Sequence, residues 1–434
     1  MAEIRPFRGL HYNQSLVKDI SAVICPPFDV ITPQLQDQLY SRSPYNFVRL
    51  ECARELPQDT STDNKYTRSA ATLEQWLAEG VLQADPEPAI YLHDHYFLHQ
   101  EKEFRRRSII ACVRLEEWEK MVIRPHEGTL AEPKDDRLRV LWTLQSNTSP
   151  IMALFQDQGD QISTLLSAKE PDRPLITTRS TGGERHVLWN ITEPETVNQI
   201  SSRLAGQPLY IADGHHRYSS ALMYRRQRMA TEPDSSQDAP FNFVMMMLVA
   251  FNDPGLVILP PHRLVGGISP AVLDGLMAKL DVFFEIEEWP LTISRVWRRI
   301  DDLLAEPGVV RLVFCGPGAE HLYLLKLRDT ASISQIMPYF HSELYQKLDV
   351  SIIDHVILEK LLELDSGTGR VAYSYDRQEA VRKVAEHEYQ LAFLLRPVRP
   401  ELIKAIADVG DRMPGKATYF YPKAPSGLVF NRLV

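Results

Sequence analysis

The first half of the chain alternates short apolar runs with polar segments of helical periodicity. FNFVMMMLVAF, at residues 241–251, is apolar throughout, which is typical of a strand buried on both faces. A polar-capped amphipathic pattern predicts a helix over residues 61–80, ending at Gly80. Further helices are predicted over 34–40 and 194–206, and further strands over 46–51, 89–99, 108–118, 186–192 and 208–212. The strands 89–99 and 108–118, joined by a charged segment, are predicted to form a hairpin.

The pattern changes after the Pro260-Pro261 pair. Helices are predicted over 269–280, 294–306, 344–364 and 378–388, and strands over 309–316, 321–327 and 389–395. Residues 413–430 are rich in proline and glycine and are expected to run extended over the surface. These patterns predict a mixed α/β fold with a first region of residues 1–264. A second α/β region would follow over residues 265–434, with a tail that returns towards the functional site.

Composition and charge narrow the class of protein. At 434 residues the chain is too long for one ordinary core, and 44% apolar with 24% charged residues is typical of a soluble globular protein. The formal charge of −9 argues against a protein whose main task is to coat nucleic acid. The four cysteines form no CxxC pair and are expected to be buried thiols. No signal sequence is apparent, and no apolar run approaches the ~20 residues that span a bilayer, so a cytoplasmic location away from membranes is expected.

The strongest candidate for chemistry is LYIADGHHRYSSALMYRRQRM, at residues 209–229. Here a short strand delivers an acid, a glycine, two histidines and an arginine to a helix expected to begin near His215. The N-terminus of a helix binds phosphates, and arginine can hold a phosphate through two parallel N–H bonds. Gly214, His215, His216 and Arg217 are therefore predicted to bind phosphate, with Asp213 as a metal ligand, a hydroxyl-orienting acceptor or a base. The alternative is an aspartate N-cap followed by surface histidines.

A second polar cluster is RPHEGTLAEPKDDR, at residues 124–137. Polar groups on every face and two prolines predict an irregular segment. His126 and Glu127 are candidate catalytic groups, and Lys134 and Arg137 suit an anionic substrate. The alternative is an ordinary solvated loop.

Two further patterns carry basic residues. Pro261-His262-Arg263 repeats the combination of histidine and arginine after a predicted strand, which makes His262 and Arg263 candidate phosphate ligands. GDRMPGK, at residues 410–416, matches part of a phosphate-binding P-loop, but Ala417 stands where a serine or threonine is needed and no helix is predicted next. Lys416 and Lys423 can still contribute charge to a site.

His93 and His95 share one face of a predicted strand. Two histidines without a clear third ligand are more typical of a half-exposed strand face than of a metal site, so no resident metal is predicted.

Several of these motifs together resemble a known family. RPFRGL, CPPFDVI, HEGT, PKDDR, IADGHHRY, ILPPHRLV and TYFYPKAPSGLVF follow this order in domain-of-unknown-function family 1015, and the resemblance covers essentially the whole chain. The ADGHHR core also looks like the signature of the ParB/sulfiredoxin-like superfamily, which includes free serine kinase. That resemblance implies a ParB-like nucleotide-binding core and a phosphate role for residues 213–217. The reactive cysteine of sulfiredoxin has no counterpart beside His216-Arg217, so sulfinic acid reduction is not expected.

The first hypothesis for function is a nucleotide-dependent phosphotransferase that acts on a small hydroxyl metabolite such as free serine. ADP or ATP would be the phosphoryl donor, and Mg²⁺ would be a candidate cofactor. The partners would be the nucleotide and a small-molecule substrate rather than nucleic acid or membrane. Glu127 or Asp213 would orient the attacking hydroxyl. The alternatives are a ParB-like nucleotide-binding switch without turnover, and a phosphatase or hydrolase that uses the same phosphate site.

Overall fold

The computed structural model describes residues 2–128, 131–180, 182–292, 295–305, 310–364 and 370–434, apart from the side chains of residues 131–133, 305, 318 and 330. The chain forms two compact units. Unit 1 comprises Met1–Pro125, Thr129–Val257 and Phe420–Val434, and unit 2 comprises His126–Gly128 and Ile258–Tyr419. The start, the middle and the last residues of the chain therefore build one unit together.

Unit 1 is organised around a mixed sheet that has nine strands within the described residues. Its hydrogen-bonded order is Ile123–Arg124, Leu209–Asp213, Ile151–Phe155, Phe243–Ala250, Lys102–Arg114, Ile90–His99, Arg185–Ile191 and Ile176–Arg179, with Ile4–Arg5 paired to Lys102–Arg114. Smaller sheets join Leu10–Tyr12 to Leu82–Ala84 and Ser146–Asn147 to Asn431–Arg432. The predicted hairpin is confirmed, although its second strand begins at Lys102 and so takes in most of the charged connection.

Four of the α-helices of unit 1 contribute apolar residues to the core on this sheet: Ala131–Leu144, Gln161–Ala168, Pro194–Leu204 and His215–Thr231. The α-helices are Pro33–Arg42, Val48–Glu51, Lys65–Ala78, Ala131–Leu144, Gln161–Ala168, Pro194–Leu204 and His215–Thr231, and the 3-10 helices are Ile20–Ala22, Phe28–Val30, Trp118–Lys120, Gln158–Asp160 and Pro240–Asn242. Lys65–Ala78 confirms the polar-capped helix, because the Asn64 side chain accepts from the N–H of Thr67 and the Thr67 hydroxyl accepts from the N–H of Asn64. Apolar residues between these helices and the sheet form the core of the unit.

Unit 2 contains an antiparallel sheet with six strands within its described residues. Their order is Phe284–Pro290, His321–Leu327, Arg311–Cys315, Leu391–Leu394, His262–Val265 and Val371–Ser374. The helices are Pro270–Asp274, Leu276–Asp281, Val296–Ala305, Pro317–Ala319 (3-10), Thr330–Ser334, Glu343–Gln346, Asp349–Ser351, Ile352–Leu361 (a π-helix), Arg377–Ala385 and Pro400–Asp408. The mixed α/β class is therefore confirmed. None of the described helices is both long enough and apolar enough to cross a membrane.

Three local predictions were wrong. Residues 46–51 were predicted as a strand, but Val48–Glu51 is helical, because a short apolar run does not distinguish a buried helical turn from a strand. The PKDDR part of the second polar cluster lies in helix Ala131–Leu144, since a proline in the first helical turn removes no hydrogen bond that the helix needs. The tail was expected over the surface, but Leu428, Val429 and Phe430 are buried and Phe430 exchanges backbone hydrogen bonds with Leu10.

The cysteine prediction is confirmed in its main point. The four cysteines are free thiols, with Cys25, Cys112 and Cys315 buried and Cys52 half-buried.

Candidate functional site

The predicted phosphate motif lies at a junction between strand Leu209–Asp213 and helix His215–Thr231. Asp213 ends the strand and Gly214 is the N-cap, with a φ of 94° that favours glycine. A Cβ at Gly214 would lie 3.0 Å from the Arg217 guanidinium, so the side chain of Arg217 folds back over the cap. The structure does not have the alternative arrangement, because the cap is Gly214 rather than an aspartate and His215 is buried.

Two cations converge on the Asp213 carboxylate. Arg217 Nη2 donates to Asp213 Oδ2 at 2.6 Å, and Lys423 Nζ donates to Asp213 Oδ1. Lys423 Nζ also lies 3.8 Å from Asp29 Oδ2. The side chains of Arg217, Lys423 and Asp213 are 12%, 11% and 17% exposed, so solvent still reaches this cluster.

The charges of the cluster reinforce one another. Burial alone would raise the pKa of Asp213, but Lys423 and then Arg217 outweigh it and hold that pKa well below its ordinary value. Burial alone would lower the pKa of Lys423, but Asp213 and Asp29 outweigh it and raise that pKa. Asp213 is therefore a carboxylate and Lys423 an ammonium near neutral pH.

Arg217 is also connected to a buried carboxylate through a serine. Arg217 Nη1 donates to Ser149 Oγ at 3.0 Å and to the Pro150 carbonyl at 2.5 Å, and Ser149 Oγ donates to Glu51 Oε1 at 3.1 Å. Glu51 is fully buried, and among the described residues its Oε2 has no hydrogen-bond partner. Arg137 Nη1 donates to the Glu51 carbonyl at 3.0 Å.

The arginine of PKDDR also contacts the N-terminal motif CPPFDVI. The Arg137 guanidinium lies 4.0 Å from the centre of the Phe28 ring, and the Phe28 N–H donates to Glu51 Oε1 at 3.3 Å. Unit 1 thus brings together residues from CPPFDVI, PKDDR, IADGHHRY and the tail motif YPKAPSG. We call the group of Asp29, Glu51, Arg137, Ser149, Asp213, Arg217 and Lys423 the anion cluster.

The cavity at this cluster is small. Arg137, Ser149 and Arg217 are among the residues lining a cavity of about 30 Å³, which is room for one or two water molecules. A cavity of about 420 Å³ lies elsewhere in unit 1, against Arg54 and Arg68, but these arginines are paired with Asp37, Asp59 and Asp63. The cavity at the cluster is therefore too small for a phosphate group, and the side of the cluster open to solvent is where Arg217, Lys423 and Asp213 remain 11–17% exposed.

Other predicted residues of unit 1 lie beside the cluster or apart from it. His215 is close enough to Asp213 to help lower its pKa, and His216 is half-buried in the first turn of the helix. The Lys134 carbonyl accepts from Ser220 Oγ at 2.8 Å, which ties helix Ala131–Leu144 to helix His215–Thr231.

The remaining predicted residues belong to unit 2. Glu127 Oε1 accepts from the Lys416 N–H at 2.7 Å, and His126 Nε2 lies 2.9 Å from Thr418 Oγ1. The segment GDRMPGK, at residues 410–416, thus contacts residues 126–128. It is followed by the strand that begins at Tyr419 and not by the helix that a P-loop requires.

His262 and Arg263 follow strand Val257–Leu259, as predicted, and are the first two residues of the buried strand His262–Val265. Arg263 Nε and Nη2 donate to the two carboxylate oxygens of Asp354, each at 3.1 Å, and Nη1 donates to the carbonyls of Pro261 and Lys416. Their role in phosphate binding stays a prediction, as do the catalytic roles of His126 and Glu127.

Sequence reasoning missed Asp29, Glu51 and Ser149. Asp29 lies in CPPFDVI, a motif that was recognised without a role being given to its acid. Glu51 was hidden by the wrong strand prediction, and Ser149 carries no motif that distinguishes it from other serines.

The comparisons with known proteins place the chain in a family. The profile of DUF1015, described as "Protein of unknown function (DUF1015)", matches residues 4–351, and the chain belongs to this family. No curated protein matches the sequence.

Similar solved structures are distant. A conserved hypothetical protein from Pyrococcus furiosus is 12% identical over 75% of this chain and 95% of its own, with a TM-score of 0.36. A free serine kinase in complex with AMP is 12% identical over 74% of this chain and 92% of its own, also with a TM-score of 0.36. SbnI from Staphylococcus aureus is 10% identical over 73% of this chain and 84% of its own, with the same TM-score. These likenesses are too weak to bear on activity.

Proposed function

We propose that the protein is a nucleotide-dependent phosphotransferase with a ParB-like core, which transfers a phosphoryl group from ADP or ATP to a small hydroxyl metabolite. The observation that carries the proposal is the anion cluster, in which Arg217 and Lys423 converge at the first turn of a long helix. Two half-buried cations and a helix N-terminus form an arrangement suited to binding phosphate. Free serine is the first acceptor to test, because the ADGHHR core resembles that of the superfamily to which free serine kinase belongs.

Phosphate binding would change the partners of Asp213. An incoming phosphate competes with the Asp213 carboxylate for Arg217 and Lys423, and the displaced carboxylate then accepts a hydrogen bond from the substrate hydroxyl or coordinates Mg²⁺. Asp213 acts here by orienting the hydroxyl group. The hydroxyl oxygen of the acceptor forms a new bond to the transferred phosphorus. The P–O bond between that phosphorus and the leaving AMP or ADP breaks, and the hydroxyl proton passes to solvent.

The first test is ligand-dependent thermal stability of the full chain with AMP, ADP, ATP, inorganic phosphate and phosphoserine, with and without Mg²⁺. A nucleotide at 100 times its dissociation constant adds about 2.7 kcal/mol of stability. Arg217→Ala is expected to abolish the stabilisation. Arg226→Ala is the matched control, because Arg226 lies on the same helix and is 64% exposed. Equal stabilisation of both variants by nucleotide would contradict the proposal.

A second variant separates binding from turnover. Asp213→Asn removes the acid that competes with phosphate, so nucleotide affinity is expected to stay the same or rise while formation of phosphoserine, followed by mass spectrometry, falls at least tenfold. Nucleotide binding without any phosphorylated product in the unaltered protein would favour the switch alternative. Release of inorganic phosphate from a phosphorylated metabolite, without nucleotide binding, would favour the hydrolase.

A further inference from the structure

Unit 1 buries a row of polar side chains on one face of its hairpin. His93 and His95 lie on strand Ile90–His99, and the strand register places His95 opposite His186 on one side and opposite Arg106 on the other. All four side chains are at most 1% exposed. Buried polar groups require partners, so the hydrogen bonds of this row can be followed atom by atom.

Three potential ligands for a metal ion converge at one end of the row. His95, Glu184 and His186 each offer one ligand atom within 4.8 Å of the other two. Glu184 Oε2 lies 2.8 Å from His95 Nε2 and 3.9 Å from His186 Nε2. Around a tetrahedral zinc ion with bonds of about 2.1 Å, neighbouring ligand atoms are about 3.4 Å apart, which lies between these two distances.

The hydrogen bonds of His93 allow a tautomer in which His186 carries its proton on Nδ1. When Ser108 Oγ donates to the His93 carbonyl at 3.2 Å, the Ser108 oxygen accepts from His93 Nδ1, 3.4 Å away. His93 Nε2 then accepts from His186 Nδ1 at 3.2 Å. In this tautomer a neutral His186 has its lone pair on Nε2, the atom that faces Glu184.

This arrangement places two acceptors against each other. His186 Nε2 is buried and has no hydrogen-bond partner among the described residues, and the atom that it faces is a carboxylate oxygen. Two acceptors that face each other in a buried place repel, and a cation bound by both removes the repulsion. His93 would act as the outer partner that holds His186 with Nε2 directed at the ion, as is usual for histidine ligands.

His95 holds a proton where the ion would bind. Arg106 Nη2 donates to His95 Nδ1 at 3.2 Å, so His95 Nε2 carries the proton that Glu184 accepts. When a metal ion takes His95 Nε2, the proton of His95 moves to Nδ1, and Arg106 Nη2 no longer has His95 as an acceptor. Arg106 keeps the carbonyls of Tyr421 and Pro422 as acceptors, at 3.2 and 2.7 Å. The negative charge of Glu184 offsets the charge of Arg106.

We propose that His95, Glu184 and His186 bind a divalent transition-metal ion, for which Zn²⁺ is the best match. Two imidazoles and one carboxylate are a donor set that zinc takes in proteins, and three protein ligands leave a coordination position for water. The Glu184 side chain is 25% exposed and provides the route from solvent. The site is independent of the proposed phosphotransferase activity.

The test uses the full chain without an affinity tag, stripped with a chelator and then given Zn²⁺ or Co²⁺. We expect one equivalent of Zn²⁺ to stay with the protein through gel filtration, as measured by elemental analysis. Co²⁺ should give the d–d absorption of a site with few ligands. His93→Gln, which changes only the outer partner, is expected to weaken binding by about 10- to 100-fold.

Glu184→Gln and His186→Gln should each lose the bound ion and the cobalt absorption. In the first of these variants the new amide oxygen can still accept from His95, so this variant should fold, which circular dichroism checks. His99→Gln is the matched control, because His99 lies on the same strand but outside the three ligands. The proposal would be overturned if the unaltered protein, after stripping, bound no more Zn²⁺ than Glu184→Gln does. It would also be overturned if Glu184→Gln and His186→Gln each retained one equivalent.

Discussion

The chain carries the pair histidine-arginine in two similar contexts, and the two pairs have different physical surroundings. His216-Arg217 lies at a helix N-terminus, where Arg217 and Lys423 share one carboxylate and solvent reaches all three side chains. His262-Arg263 lies inside the sheet of unit 2, where Arg263 is 1% exposed and every guanidinium nitrogen has an acceptor. A short motif therefore gives the residue types but not their availability, which depends on burial and on the number of fixed acceptors.

The largest effect expected from this comparison is on stability. Arg263→Met leaves the Asp354 carboxylate without its buried partner and should lower the free energy of unfolding by about 3–5 kcal/mol. Arg217→Met should lower it by only about 1–3 kcal/mol, because Lys423 still neutralises Asp213. Urea unfolding of the full chain, with hydrogen exchange to localise the loss to each unit, measures both values.

Nucleotide-dependent stabilisation of the same two variants sharpens the comparison. Nucleotide should no longer stabilise Arg217→Met but should still stabilise Arg263→Met. Loss in the Arg263 variant, with its fold intact, would instead support the phosphate role predicted for Arg263 from sequence.

A smaller effect is expected when the pH is lowered. Burial, followed by the charge of Arg377, lowers the pKa of His262 to about 4, against the opposing effect of Asp376. His262 Nδ1 accepts from the Leu395 N–H at 3.0 Å, so the folded state requires the neutral ring. The unfolded state takes up a proton below about pH 6.5, and stability falls by about 3 kcal/mol as the pH drops from there to 4. His262→Gln should have a shallower dependence over this range, measured by urea unfolding at each pH; an identical slope would refute the assignment.

The smallest effect is expected at the helix cap. Gly214→Ala places a Cβ against the Arg217 guanidinium and strains a residue with a φ of 94°, which should cost about 1–2 kcal/mol. Because the Arg217 side chain must move, the loss of free energy of phosphate binding should be larger than the loss of free energy of unfolding. Gly80→Ala is the matched control, because Gly80 also has a positive φ but has open space around its Cβ position.

Much of the fold could be predicted from the sequence, because long periodic segments such as Lys65–Ala78 and Phe243–Ala250 show their burial directly in their pattern. Two of the errors fell on a short segment and on a proline-containing segment. Val48–Glu51 is too short for a period, and in Ala131–Leu144 the favourable position of proline in a first turn outweighed its usual role as a breaker.

The sites were less predictable, because their geometry depends on strand pairing. The sequence showed Asp213 and Arg217 four positions apart, but not that Lys423 joins them from 210 positions further along. Likewise, His93 and His95 lacked a third ligand in the sequence, and Glu184 and His186 approach only through the pairing of strand Arg185–Ile191 with strand Ile90–His99.

The return of the tail to unit 1 also has a consequence for synthesis on the ribosome. Lys423 and the carbonyls of Tyr421 and Pro422 emerge only after all of unit 2 has been translated, since residues 126–128 and 258–419 precede them. Until then Arg106 lacks the carbonyls of Tyr421 and Pro422 as acceptors, and Asp213 lacks Lys423. Pauses in translation before residue 420 would therefore prolong this partly assembled state.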